Sequence, residues 1–326
     1  MKYLFRKLSL LAFALFVAVT LNFFIPRMMP GDPATELVDK MQGIPPEALE
    51  SIKVAFGLKT DDPMIVQYFK YLGNIFKGDL GISLSRFPTP VSTVLALAIP
   101  WTLGLIGLST VLSFFIGTVV GIAVAWNRNK RAASWTVGVF IFIRSFPYFW
   151  LGLLLIYLLG FRFEVFPVGG SFSPYVQRPS WDFFVSVLYH GFLPALTIVV
   201  SSMGTWILTM RNNMINVLAE DYITVALAKG LSLKRIKTLY AAKNAILPSI
   251  TGFAMSLGFV VGGGLLTEMV FGYPGVGLML FQAVQAKDYP LMQAIFLFIS
   301  TAVLAANFLA DLAVLVLDPR ARDGGR

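Results

Sequence analysis

Residues 220–249 read EDYITVALAKGLSLKRIKTLYAAKNAILPS. This stretch is basic and lies between two long apolar runs. Arg211, Lys229, Lys234, Arg235, Lys237 and Lys243 lie in it or just before it, against Glu220 and Asp221. Its middle is small: Ala226, Ala228 and Gly230. Small side chains let a backbone approach another surface closely. Gly230 suits the left-handed geometry that ends a helix, and Ser232 suits the N-cap of the next one. Leu233, Ile236, Leu239 and Tyr240 then predict an apolar stripe. Pro248 punctuates the return to the membrane. The stretch therefore predicts a helix–turn–helix with a compact tip, held outside a membrane.

The flanking composition demands that membrane. Of 326 residues, 57% are hydrophobic and 13% charged, with a mean hydropathy of +0.75; soluble domains carry about 25% charged residues. A span needs about 20 apolar residues, and the runs predict six: 8–25, 98–126, 133–160, 187–210, 249–268 and 290–317. The net charge of +9 raises the prospect of a nucleic-acid partner, but its distribution argues against one. With the N-terminus inside, the inner segments carry 15 bases and 4 acids, and the outer segments 10 bases and 12 acids. This is the positive-inside asymmetry. It places both termini in the cytoplasm and membrane lipid around the chain. The apolar run 8–25 exceeds the usual signal-peptide core of about 7–15 residues, so it reads as an uncleaved anchor.

The chain divides into an inner N-terminus with the first span (1–25), an outer segment (26–92), a core with five more spans (93–318) and an inner tail (319–326). The outer segment predicts amphipathic helices, one at 46–56 and one started by Asp62 as N-cap with Pro63 at the first helical position. In the latter, Ile65, Phe69, Leu72 and Phe76 share a face. The uncharged run 269–286 is interrupted by Gly272, Pro274, Gly275 and Gly277. It reads as a re-entrant or interfacial helix rather than a seventh span.

Catalytic signatures are missing. The sequence holds no GxxxxGK[ST], HExxH or GxSxG, no cysteine and one histidine. It predicts no catalytic residue, no metal site and no cofactor bound by the chain itself. Gly81-Ile82-Ser83 reads as a turn. Charges inside spans are costly and often functional, so Arg144 and Asp311 stand out. Their depths differ by about 8 Å at 1.5 Å per residue, within an arginine's reach, so they form a candidate pair. Lining a path or meeting a second subunit are the alternatives for Arg144. Asn307 shares a helix face with Asp311. Glu268, at the outer end of the fifth span, is a candidate for a substrate amine or a plain interfacial charge. Arg144, Glu268, Asn307 and Asp311 are the path candidates.

The stretch at 220–249 resembles the cytoplasmic coupling loop of ABC importer permeases. Gly230 and Leu247-Pro248 match that loop's pattern, Ala226 keeps its second alanine, and Thr224 and Val225 depart from it. Five extra residues after Gly230 match the dipeptide/oligopeptide/nickel branch. PGDP (30–33), DDPMIVQYFKYLGNIFKGDLGIS (61–83), FPYFWLGLLLIYLLG (146–160), FPVGGS (166–171), TEMVFGYPGVG (267–277), AKDYP (286–290) and LDPRAR (317–322) extend the likeness over residues 20–322. The resemblance implies an all-α, six-span type I permease of the first-permease kind, in the cytoplasmic (inner) membrane of a prokaryote. It implies a second related permease, two ATPase subunits that use ATP and Mg, and an extracytoplasmic substrate-binding protein. Di- or oligopeptides are the implied cargo, with oligosaccharides or nickel as alternatives. A stand-alone carrier or channel is the other class. The coupling loop is set at 212–248, with Asp221, Tyr222, Ala226, Ala228, Lys229, Gly230, Leu231 and Ser232 as the ATPase contacts.

Overall fold

The computed structural model describes residues 2–29, 62–260, 262 and 264–317, with the backbone alone for 2–4 and 310–317. The expected helix at 46–56 lies outside the described residues. Among the described residues, twelve helical elements follow in order: α1 Lys2–Arg27, α2 Met64–Phe76, α3 Val91–Trp126, α4 Arg131–Arg144, α5 Tyr148–Arg162, α6 Trp181–Leu218, α7 Asp221–Ala228, α8 (residues 233–245), α9 Leu247–Val260, α10 Leu265–Val270, α11 Val276–Gln285 and α12 Tyr289–Leu317. Among the described residues, strand-like pairing is confined to one isolated bridge, Ile82 to Pro90.

Four helices, α1, α3, α6 and α12, are each long and apolar enough to cross a membrane. Helices α3 and α6 have 36 and 38 residues. At 1.5 Å per residue each exceeds 50 Å, well beyond a hydrocarbon core of about 30 Å. Two expected spans are not single helices. The third is the pair α4 and α5, bent by 96° at Ser145-Phe146-Pro147. Proline there has no N–H to continue the ladder and restricts the residue before it. The fifth is divided between α9, of 14 residues, and α10, of 6.

Small residues set the bundle's closest approaches. Helix α3 packs along α6 through Gly117 and Gly121. A methyl group at Gly117 would lie 2.6 Å from the Trp206 Cβ, and one at Gly121 2.8 Å from both the Ile207 carbonyl oxygen and the Met210 Cβ. Gly-x-x-x-Gly spacing in an apolar helix is a close-packing motif. Gly258 of α9 meets Ala306 of α12 in the same way. Gly121→Ala should therefore cost about 1–3 kcal/mol by overpacking. Gly138→Ala, where a methyl group meets nothing within 4 Å, should leave the melting temperature in detergent unchanged. Large apolar side chains such as Phe13, Phe16, Phe115, Val119, Phe142 and Phe161 are left at the outside of the bundle. An exposed apolar belt of this kind needs lipid or protein against it.

Helix α2 departs from its expected register. It begins at Met64, with Pro63 in the N-cap position and no side-chain cap. Asp62 instead pairs with Lys70. The face that docks is aromatic rather than aliphatic: the Tyr68 and Thr20 hydroxyls are 2.7 Å apart, and Tyr68 packs on Phe23 and Phe24. Ile65, Phe69 and Phe76 point outward. A hydrogen bond rewards the tyrosine face, while aliphatic spacing alone does not say which side meets the protein.

Gly81-Ile82-Ser83 is not a turn but part of a clasp. Ile82 bridges Pro90, and the Ser83 hydroxyl donates to the buried carboxylate of Asp288. Asp288 also accepts from the Ser85 amide at 2.9 Å and hydroxyl at 2.8 Å, and caps α12 through the Leu291 amide at 3.1 Å. It satisfies one of the orphan donors at that helix start.

Candidate functional site

The tip formed by α7 and α8 takes the expected shape at its centre. Gly230 has φ +71°, and its amide and that of Leu231 return to the Leu227 and Ala226 carbonyls at 2.9 and 3.3 Å. That closes α7 in the manner of a glycine C-terminal cap. Ser232 occupies the N-cap position of α8, but its side chain makes no cap bond; its carbonyl receives the Ile236 amide at 3.0 Å.

Three expectations at the tip change. Ala226 is 3% exposed and packs with Ile223, Ile236, Met210, Met214 and Ala245 in one cluster. Its smallness serves this chain's own core, so Ala226 is not an outward contact. The predicted stripe is divided: Ile236 is buried, while Leu233 and Leu239 face out. Residues 236–242 form a π segment, with a longer period than the 3.6 of the reading. Pro248 does not end a helix. The Ile246 amide bonds Ala242 and the Ile250 amide bonds Ile246, each at 3.0 Å, so α8 leads into α9 with a single turn residue between them. Proline at the second residue of α9 sits where a missing N–H costs little.

Asp221, Tyr222, Ala228, Lys229, Gly230 and Ser232 are exposed, and Leu231 half-buried. Leu233, 61% exposed, and Leu239 of the predicted stripe join Leu227, 49% exposed, and Val225 in an apolar part of this surface. Asn244 ties α8 to α7 by donating to the Tyr222 hydroxyl at 3.1 Å.

Deeper in the bundle, a cavity of about 580 Å³ is walled by α3, the α4–α5 bend, α6, α9 and the segment before α10. Arg144 lines it, at the end of α4, with no ion-pair or hydrogen-bond partner among the described residues. Thr110, Ser201, Ser202, Thr205 and Ser256 are hydroxyl residues of the same wall, as is the buried Thr267, and Trp206 is its aromatic one. Ser201 and Ser256 bond back to carbonyls of their own helices, which satisfies them without a partner across the cavity. Three of these hydroxyls recur on α6 at 201, 202 and 205, a helical spacing that marks a polar face inside an apolar run. The Asp311 side chain, and with it the candidate pair, lies outside the described side chains. Asn307 is exposed on α12.

Glu268 does not face the cavity. It is 0% exposed. Its carboxylate accepts from the Thr102 hydroxyl at 2.8 Å and from the Gly277 and Leu278 amides at 2.7 and 3.2 Å. Thr102 in turn receives the Val276 amide at 2.7 Å. The acid thus sits on the N-terminus of α11, where orphan N–H groups and the helix dipole favour a negative charge. Gly275 and Gly277 admit it, since a methyl group at Gly275 would lie 2.3 Å from the Glu268 carboxyl carbon. The run 269–286 thereby forms a ten-residue helix packed on α3 and α12.

Long apolar helices around an arginine-bearing, hydroxyl-lined cavity define an all-helical, multi-pass membrane protein. The chain belongs to the family described as "Binding-protein-dependent transport system inner membrane component", whose model matches residues 117–323; the corresponding N-terminal model matches residues 1–94. The chain is 32% identical over 341 residues to the dipeptide transport system permease protein DppB of Escherichia coli (strain K12), covering 99% of both chains. It is 33% identical to the oligopeptide transport system permease protein AppB of Bacillus subtilis (strain 168), covering 98% of both. It is 34% identical to the probable D,D-dipeptide transport system permease protein DdpB of Escherichia coli (strain K12), covering 94% of this chain and 93% of the relative.

Proposed function

We propose that the chain is one permease subunit of an ATP-driven importer of di- or oligopeptides, with the Arg144 cavity as its share of the path. The full-length likeness to permeases named for dipeptides and oligopeptides supports the cargo. The observation that carries the mechanism is a mechanical connection. Helix α6 lines the cavity with Ser201, Ser202 and Thr205 and runs on to Leu218, beside the tip. From the other side, α8 passes into α9, which lines the same cavity with Ser256, Phe259 and Val260. A push on the tip is therefore delivered to two cavity walls, as alternating access requires.

In this reading the crossings are six: α1, α3, α4 with α5, α6, α9 with α10, and α12. Both termini are cytoplasmic, and 26–92 is an outer insertion. A second permease completes the path, two ATPase subunits that use ATP and Mg receive the tips, and an extracytoplasmic binding protein delivers cargo. The catalysis belongs to the ATPases, since the chain carries no Walker A loop. The exposed Tyr222, Leu227, Gly230 and Leu233 form the docking face. Leu233→Glu should weaken co-purification of the ATPase by about thirtyfold, as for a central interface residue worth about 2 kcal/mol. It should leave the permease melting temperature unchanged, because the side chain already faces water. Wild-type ATPase capture and wild-type peptide uptake by Leu233→Glu vesicles would overturn the docking face and favour a carrier that works alone.

A further inference from the structure

On the outer side a second, smaller groove of about 280 Å³ lies between the segment before α3, the loop after α5 and the start of α11. Two guanidinium groups border it. Arg86 donates to the Gln282 side-chain oxygen at 3.0 Å. Arg178 lies flat on Phe172, 3.8 Å from the ring centroid, with Phe183 at 5.3 Å. Trp101 stacks on Phe172 with centroids 5.9 Å apart and planes 14° apart. No acidic side chain lines the groove, and neither arginine has a carboxylate partner among the described residues.

One helix, α3, borders both the groove and the Arg144 cavity. Helix α3 presents Trp101 to the groove and Thr110 to the cavity. These positions are nine residues apart, or about 13 Å along the axis. Between them sits Thr102, held by Glu268. The order from outside is then an arginine groove, a hydrogen-bonded layer and an arginine cavity.

We propose that this groove is the entry site for the C-terminal carboxylate of the incoming peptide, with Arg178 and Arg86 as its anion contacts. The inference rests on the peptide-permease reading and adds where the peptide is first held and by which end. Arginine presents a planar fork that matches a carboxylate. Stacking on Phe172 holds the Arg178 fork in place without consuming its hydrogen-bond donors. The Trp101–Phe172 surface beside it suits the apolar side chain of a C-terminal residue.

The test uses the full-length chain in nanodiscs of zwitterionic lipid. The probes are N-acetyl-alanyl-4-fluorophenylalanine as the free acid and as the C-terminal amide, titrated by fluorine NMR. The expected result is an acid preference of about tenfold, the loss typical of one charge-assisted hydrogen bond. Arg178→Gln and Arg86→Gln should each abolish it. Arg178→Lys should restore part of it, which a merely structural arginine would not do. Lys77→Gln removes an outer charge away from the groove and should keep the preference.

A wild-type chain with no acid preference, or no binding, overturns the proposal. An equal loss in Lys77→Gln does so as well, because the attraction is then diffuse. Unchanged peptide binding in the arginine variants together with lost capture of the binding protein also overturns it, and reassigns the arginines to protein docking. Peptide uptake by the assembled transporter separates the two readings. Absent uptake removes the peptide permease itself, whereas uptake without acid preference removes the outer groove alone.

Discussion

Glu268→Ala is expected to prevent accumulation of the folded permease. The side chain is fully buried and accepts from the Thr102 hydroxyl and the Gly277 and Leu278 amides. Each buried donor left without an acceptor costs about 1–3 kcal/mol. Loss of the carboxylate leaves three such donors, the start of α11 uncapped, and a void beside Gly275 and Gly277. The three donors alone cost about 3–9 kcal/mol, which is comparable with the whole stability margin of many domains. Size-exclusion chromatography in detergent and the thermal midpoint measure it. Glu268→Gln should fall between wild type and Glu268→Ala, because its amide oxygen can still take one donor. Gly275→Ala should approach Glu268→Ala, because its methyl group and the carboxylate claim the same space. A Glu268→Ala protein that elutes and melts like wild type would show that the acid holds nothing together and would return it to the path candidates.

Arg144→Met is expected to leave the protein folded and to lower peptide uptake by about tenfold to a hundredfold. Arg144 points into the cavity and has no partner among the described residues, so its removal strands none of their polar groups. What is lost is a charge-assisted contact inside a low-dielectric bundle, worth about 1.5–3 kcal/mol. Uptake and melting temperature are measured on the same vesicles. Arg144→Lys should keep more uptake than Arg144→Met. Adding Asp311→Leu to Arg144→Met should not rescue uptake if the guanidinium acts on cargo. Rescue by the double variant is the result expected instead of a buried ion pair, in which one stranded charge is the damage. That outcome would move Arg144 from the path to the frame.

Arg144 was legible because a charge within an apolar run is rare and costly, and that rule needs no partner to be known. The hydroxyls at Thr110, Ser256 and Thr267 were not, since each is ordinary in its own helix. These residues come to the Arg144 cavity only because four segments converge there. Glu268 attracted attention for the same reason as Arg144, yet its role differs. Its partners, Thr102 and the first turn of α11, come from separate stretches of chain, and nothing in the local sequence says that they meet. The motif TEMVFGYPGVG contains the acid and both glycines that admit it, but not the geometry that joins them.

The sequence by itself determined the membrane class, the charge asymmetry between its segments, the glycine turn at Gly230 and the family likeness. These depend on composition, on charge summed over segments and on local backbone preference, which are properties of neighbours along the chain. Only the tertiary structure decided that Ala226 packs inward, that Glu268 caps α11, that the chain bends between α4 and α5 at Pro147 and that Arg86 and Arg178 share one groove. Those outcomes depend on which faces of distant helices meet and on whether a buried polar group finds its partner there. Both are settled by packing in three dimensions, where residues a hundred or more positions apart become neighbours.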